Sequence, residues 1–234
     1  MQHEYIDRCL LESGVLKLNL LECLPQLYTI HDSTSNINII GSRVDKLIQY
    51  ANLLKKWNKF YSLTALTSAD EMLKYHLLDG LTLMPYINNA KSIIDVGSGM
   101  GVPGVIIAIW YPHMQVVAID SNNKKAVFLR QVAIELGLTN FTVLNQRVED
   151  YQPNYGYDVI TSRAFADINL FIQLTRHLIN QDGCWLAMKG ANVAKEINIL
   201  SNDNCNYSLD ILPVNIPNSN LERFLIRVVL NNKK

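Results

Sequence analysis

The sequence predicts an α/β fold: a mostly parallel, seven-stranded sheet flanked by helices, closed by an antiparallel C-terminal strand and preceded by a helical N-terminal cap. Three observations lead there. From Lys91 onward, short apolar runs alternate with stretches of helical periodicity. A glycine-rich turn, in IDVGSGMGVPG (94–104), directly follows the first of those runs. Residues 1 to about 88, by contrast, carry helical spacing. The 234 residues thus divide into a cap, 1–88, and one compact α/β unit, 89–234.

In the cap, Ile6, Leu10 and Leu11, then Leu18, Leu20, Leu21 and Leu24, mark the first helices. HDSTSN (31–36) is polar and predicts a loop before the next helix. From Ser42, the recurrence of Val44, Leu47, Ile48, Ala51, Leu54 and Trp57 predicts an amphipathic helix over RVDKLIQYANLLKKWNKFY. Ser68 and Glu71 fit a capping box that opens a helix ending before Pro85. In the second unit, SIIDV, QVVAID, FTVLN, YDVITS and CWLAMK read as strands, with helices near 103–111, 122–137, 167–179 and 191–200. YSLDILPV and ERFLIRVVL, separated by NIPNSN, read as a closing antiparallel hairpin.

Composition narrows the function. Twenty-one basic residues are matched by 21 acidic ones, so no overall field favours nucleic acid, and any such contact needs a local basic patch. Cys9, Cys23, Cys184 and Cys205 form no C-x-x-C pair and read as reduced, buried thiols of a cytosolic protein. The apolar run CLLESGVLKLNLLECL is broken by Glu12, Lys17, Asn19 and Glu22, which fits neither a membrane span nor a signal peptide. The expectation is a cytoplasmic monomer with no membrane partner and no metal site.

The glycine turn carries the chemistry. Backbone amides at such a turn, with the start of the next helix, build an anion- or nucleotide-binding site. Pro103 suits the first turn of that helix. Asp120 ends the next strand at the spacing where an acid meets ribose hydroxyls. Two registers overlap. Gly99, Gly101 and Gly104 spell the dinucleotide pattern G-x-G-x-x-G; Gly97, Gly99 and Gly101 spell G-x-G-x-G, which holds S-adenosylmethionine in another group of sheets. The first pattern leaves two extra residues after the strand, and no Y-x-x-x-K pair of a common dehydrogenase class occurs. Asp95, near the end of an apolar strand, is costly to bury and is expected to face the cleft, where a cationic sulfonium would meet it. Capping of loop amides by Asp95 is the alternative. Methyl transfer is favoured.

Seven blocks carry a closer likeness: LLKKWNKFYSLT (53–64), EMLKYHLLDGL (71–81), IDVGSGMGVPG (94–104), IDSNNKKAVFLRQV (119–132), NQRVEDY (145–151), ITSRAFADI (160–168) and LAMKG (186–190). In this order and spacing the chain resembles the bacterial 16S rRNA guanine-N7 methyltransferases, the glucose-inhibited division protein B family, over roughly residues 43 to 230. The resemblance implies a Rossmann-like class I methyltransferase fold and S-adenosyl-L-methionine as cofactor. It also implies a guanine N7 acceptor in 16S rRNA, as RNA or in the small ribosomal subunit. Position by position it implies that Gly97 and Val102 hold the cofactor in the glycine loop, that Val148 and Glu149 lie beside the adenine, and that Arg163 of SRAFA contacts the cofactor. Asp95, Gly99, Gly101 and Asp120 complete that set from the reading of the loop itself. The chain departs from the family at Ser62, where Asn is usual, and at Gly80, where Ser is usual, both outside the cofactor loop and so bearing on substrate-side details.

Guanine N7 offers a lone pair and no proton to remove, so positioning should dominate catalysis. No nucleophilic triad or metal cluster is needed. The charge developing on the purine calls for carbonyls, a carboxylate or an aromatic face. Substrate-side candidates are His76 and Asp79, one helical turn apart, Arg163 after the fourth strand, and Lys189 at the end of the fifth. A core or capping pair at His76 and Asp79, a structural salt bridge at Arg163 and a solvated Lys189 are the competing readings. Lys55, Lys56 and Lys59 around Trp57, and Lys124, Lys125 and Arg130 after Asp120, are candidate phosphate contacts, although Trp57 at helical spacing is more often core than a base platform. Competing functions are methyl transfer to another RNA, a protein or a small molecule, a nucleotide-dependent dehydrogenase, or a non-catalytic RNA-binding assembly factor.

Overall fold

The computed structural model describes residues 5–23, 33–191 and 207–231. Leu24, Cys205 and nearly all of the helix expected at 191–200 lie outside them.

The cap opens with α1 (Arg8–Lys17), whose N-cap Asp7 accepts from the Leu10 amide at 3.1 Å. Helix α2 (Ser33–Tyr61) is longer than its apolar pattern, and most of the expected HDSTSN loop is helical. The cause is cooperativity: with Val44, Leu47, Tyr50 and Leu54 buried, each further residue adds one hydrogen bond at little cost. Trp57 stacks on Tyr61 and packs against Phe128, so it belongs to the contact between α2 and the helix after Asp120 and is no base platform. After α2 the chain turns at Ser62 with φ +51°, a left-handed conformation that asparagine tolerates better than serine. The family's usual asparagine has a backbone reason here. Ser62→Asn is expected to stabilise the protein by about 0.5–1 kcal/mol, read as a raised urea midpoint.

Ser68 and Glu71 form the expected capping box. The helix they open is not uniformly α. It runs α3 (Ala69–Met72), then a π-helical segment (Leu73–Leu78), then α4 (Asp79–Leu81). Such π-segments recur at functional sites because the extra residue re-aims side chains. Gly80 sits where a Cβ would come within 2.3 Å of Ile106 Cδ1, so the missing side chain lets α4 close on α5. That departure from the family is a packing matter beneath the glycine loop, not a substrate-side one.

The sheet is formed by β1 (Ser92–Val96), β2 (Gln115–Ile119), β3 (Phe141–Leu144), β4 (Tyr157–Arg163), β5 (Ile179–Lys189), β6 (Tyr207–Val214) and β7 (Arg223–Leu230). Its order is β3-β2-β1-β4-β5-β7-β6. β1 to β5 pair parallel, and β7 pairs antiparallel with both β5 and β6, as the hairpin reading required. The fifth strand starts earlier than CWLAMK: Tyr157 already pairs Ile179, and a register irregularity absorbs the difference before Cys184. Successive residues in each inner strand serve opposite faces. Ile93 and Val116 join the core under the cap with α5 (Gly104–Trp110) and α6 (Asn123–Leu136), whereas Ile94 and Val117 join the core under α7 (Ile168–Thr175). Helix α7 buries Ile168, Phe171, Ile172 and Thr175, the i, i+3, i+4, i+7 stripe of a helix lying on a sheet. Each fully buried Ile or Phe there contributes about 1.5–3 kcal/mol.

Cap and sheet share one apolar core, and the buried Tyr50 hydroxyl of α2 donates to the Met100 carbonyl in the glycine turn at 2.8 Å. Cys23 and Cys184 are buried free thiols, but Cys9 is exposed, because α1 turns that face to solvent. Among the described residues no helix is long and apolar enough to cross a membrane, and no group of three or more His, Cys, Asp or Glu could hold a metal.

Candidate active site

Gly97, Gly99 and Gly101 have φ of +65°, +61° and +101°, whereas Gly104 is not left-handed. These three therefore form the turn, in the G-x-G-x-G register, and only residues lacking a Cβ take this path without strain. Gly104 answers a different need: a Cβ there would lie 2.7 Å from Asp95 Oδ2. Pro103 stands at the N-cap of α5, one position before the first helical turn it was expected to occupy.

Asp95 is fully buried behind the turn and lines neither cavity described below, so the expectation that it faces the cleft fails. Its Oδ2 accepts from the Ser98 hydroxyl at 2.6 Å and the Gly104 amide at 2.9 Å, which is the loop-capping alternative. Its Oδ1 is buried with no partner. Burial pushes the Asp95 carboxyl up to about 7, against the pull of Ser98, Gly104 and Arg163.

Across the turn, Asp120 accepts from the Gly99 amide (Oδ2, 2.9 Å) and the Asn122 amide (Oδ1, 2.8 Å). It lines a cavity of about 320 Å³ at the carboxyl ends of β1 and β2, together with Gly97, Lys125, Val148, Glu149 and Phe165. Lys125 lies 3.9 Å from Asp120 and so belongs to this cavity, not to an outer phosphate patch. Val102 is buried toward Gly80 and does not line the cavity.

A second cavity, of about 640 Å³, opens at the ends of β4 and β5. His76, Asp79, Arg163 and Lys189 all line it, and so does Arg223 from the start of β7. Asp79 is 2% exposed and held between Arg163 Nη1 at 3.2 Å and Arg223 Nε at 3.3 Å. Burial pushes its carboxyl up and the two guanidiniums oppose that. Arg163 also donates to the Tyr75 carbonyl at 2.8 Å. Lys189 Nζ donates to the Ala166 carbonyl at 2.6 Å, so it braces the SRAFA loop and is not merely solvated. Arg163 lines this second cavity and not the one at the glycine turn.

His76 is 3% exposed, with Nε2 at 2.9 Å from the Thr64 hydroxyl and Nδ1 at 2.9 Å from the Tyr75 carbonyl. A carbonyl only accepts, so Nδ1 carries the proton and Nε2 accepts from Thr64. The 3.5 Å approach of Arg163 Nη2 to Nδ1 is therefore no hydrogen bond. Burial, then Arg163, lowers the His76 pKa from 6.5 to about 4. The ring is neutral and fully bonded, a positioning group and no proton carrier. An unfolded chain takes up this proton near pH 6.5 and the folded one only near 4, so stability supplied here is complete above 6.5 and lost as pH falls through 4. Asp95 acts oppositely: its folded carboxyl holds its proton up to about 7, so its contribution falls as pH rises from 3.8 to 7. Against wild type, His76→Gln should therefore remove a loss of at most about 3 kcal/mol between pH 6.5 and 4, checked by urea unfolding at both pH values.

Of the cofactor-side candidates, Gly97, Asp120, Val148 and Glu149 line one cavity, with Gly99 tied to Asp120 through its amide, and the four substrate-side candidates line the other. The sequence reading missed Arg223, whose neighbours are set by the return of β7 along β5, and Phe165, which lay inside a quoted motif.

Residues 43–223 match the family model described as "rRNA small subunit methyltransferase G", GidB. A ribosomal RNA small subunit methyltransferase G of Chromobacterium violaceum is 47% identical over 194 residues, covering 83% of this chain and 92% of that protein. The Laribacter hongkongensis protein of the same name is 44% identical over 184 residues, 79% of this chain and 87% of that one. Two solved structures show the fold. They are a glycopeptide N-methyltransferase (TM-score 0.55, 8% identity, 66% of this chain and 95% of that one) and a ribosomal protein L11 methylase from Lactobacillus delbrueckii (TM-score 0.51, 16% identity, 68% and 78%).

Proposed function

The chain belongs to the rRNA small subunit methyltransferase G family, and from that premise we propose which of its residues carry the reaction. It is an S-adenosylmethionine-dependent rRNA methyltransferase. Its acceptor is N7 of a guanine in 16S rRNA.

The residues at the glycine turn fit that cofactor. The turn is left-handed at three glycines, of which Gly99 has room where a side chain would stand, the Asp120 carboxylate lines the cavity beside it, and the buried Asp95 Oδ1 behind the turn has no partner. When bound, the cofactor supplies a methyl group activated by a positive sulfonium. Asp120 would take the ribose hydroxyls, Val148 and Glu149 would flank the adenine, and the backbone of the turn shaped by Gly97, Gly99 and Gly101 would lie against the remainder. Val102 contributes from behind by packing the turn onto α4, and Asp95 by holding Ser98 and Gly104 in place. Arg163 lines the second cavity next to Ala164 and Phe165, orders the acceptor side through Asp79, and from there would reach the cofactor's amino-acid end. No residue needs to remove a proton from guanine N7, which agrees with a neutral, fully bonded His76. Residues 1–88 act as a cap that holds this machinery from one side.

One observation carries the assignment: two cavities, one with the glycine turn and one rich in arginine, meet at the SRAFA loop. A single chain lines both, which supports a monomer, and an rRNA acceptor supports action in the cytoplasm. Exposed Lys56, Lys59, Lys124 and Arg130 are the outer phosphate contacts. With no strong overall charge, the protein selects a folded RNA surface, as in the small ribosomal subunit. The test is incubation with radiolabelled S-adenosylmethionine and small-subunit rRNA from cells lacking the modification, as free RNA and as assembled subunits. Label in N7-methylguanine is expected; label in another base removes the guanine N7 assignment.

A further inference from the structure

The SRAFA loop places an aromatic ring where the reaction needs an opening. Phe165 and its neighbour Ala164 are the residues that line both cavities. The ring lies directly against the glycine turn: a Cβ added to Gly97 would meet Phe165 Cδ2 at 2.5 Å, Cγ at 3.3 Å and Cβ at 3.4 Å. On its other side Phe165 meets Phe171 edge-to-face, ring centroids 6.2 Å apart. The loop is pinned at both shoulders, by Arg163 to the Tyr75 carbonyl and by Lys189 to the Ala166 carbonyl. Between those pins Ala164 adopts φ +56°, an uncommon conformation for a residue with a side chain, and this sets the direction of the ring.

In-line methyl transfer brings donor and acceptor atoms to about 3–3.5 Å, so no side chain can stand between them during the reaction. The ring seated on Gly97 lies where the two cavities adjoin. We infer that Phe165 is the partition between the cofactor and acceptor cavities and, once displaced by the entering purine, the platform on which that purine stacks. The inference rests on the function proposed above and adds a base-positioning residue to it. Displacement costs the ring its seat on a bare glycine backbone, its edge contact with Phe171 and part of its packing on the core under α7. The ring's negative face then lies along a purine that gains positive charge as N7 is methylated, which favours the transition state over the neutral guanine. The exchange also ties cavity opening to arrival of the base.

The experiment uses the full-length protein, S-adenosylhomocysteine as the cofactor-side probe and unmethylated 16S rRNA as the acceptor. Phe165→Leu keeps an apolar partition but has no π face. Its affinity for S-adenosylhomocysteine should stay within ~2-fold of wild type, as for a group acting on the acceptor side. Its kcat/KM for rRNA should fall roughly 10- to 100-fold, the range of one lost base–aromatic stack. Phe165→Tyr restores the face, controls for folding, and should come within ~3-fold of wild type. Three results overturn the inference: full kcat/KM in Phe165→Leu, equal loss in the leucine and tyrosine variants, or parallel loss of S-adenosylhomocysteine affinity and methylation. Wild-type protein separates the two levels. An inactive wild type overturns the proposed function and this inference with it; an active wild type beside an unaffected leucine variant overturns the inference alone.

Discussion

Asp79→Ala is expected to lower stability by about 3 kcal/mol, near the lower end of the cost of breaking a buried ion pair. The carboxylate is 2% exposed and holds two guanidiniums from distant parts of the chain, Arg163 ending β4 and Arg223 opening β7. Removing it leaves two positive charges facing each other across a partly dry space. The arginines reach solvent at 17% and 27% exposure, so they can turn outward, which keeps the loss from being larger. For a chain of this size the change amounts to a drop of roughly 10 °C in Tm, read by calorimetry. Asp79→Asn preserves shape but not charge, and should recover less than half of the loss. An alanine variant melting with wild type would mean that the arginines are held by something other than Asp79.

Asp120→Ala should leave the protein folded, at a cost of about 1–3 kcal/mol for the stranded Gly99 and Asn122 amides, yet weaken S-adenosylhomocysteine binding roughly 10- to 100-fold, the worth of a charge-assisted hydrogen-bond pair. Two effects combine. The carboxylate at the ribose position disappears, and the Gly99 amide loses the acceptor that holds the turn against β2. The fold is expected to survive the change, because the carboxylate, though 8% exposed, sits just past the end of β2 and lines the cavity, where water can replace it at the two amides. Titration calorimetry decides the matter: equal affinity in the variant would remove Asp120 from the ribose position.

What the sequence made legible was local. β1, β2 and β4 announce themselves as short apolar runs, and the glycine turn through the need for left-handed backbone at Gly97, Gly99 and Gly101. Chain pairing by hydrophobic alternation also sufficed for the β6–β7 hairpin. Three features were beyond such reading. The π-segment at Leu73–Leu78 depends on how α3 meets α1, α2 and the sheet, and helical periodicity does not distinguish it from an α-turn. Asp95 was drawn toward the cleft by its charge, whereas the helix start at Gly104 drew its carboxylate backward. Arg223 stands 144 residues from Asp79, and only the antiparallel return of β7 brings the two together.

The hydrogen bond from Tyr50 to Met100 has a practical consequence. A biochemist wishing to trim this enzyme to its sheet would cut after residue 88 and keep the glycine turn, Asp120 and Phe165, but lose His76 and Asp79 from the acceptor-side cavity. Such a truncation would remove a strut from the turn and uncover the apolar floor formed by Val105, Ile106 and Phe128. The N-terminal helices are thus scaffolding cast in one piece with the catalytic centre. Libraries aimed at altered cofactor preference should treat α2 as part of the support of the pocket, even though none of its described side chains borders it.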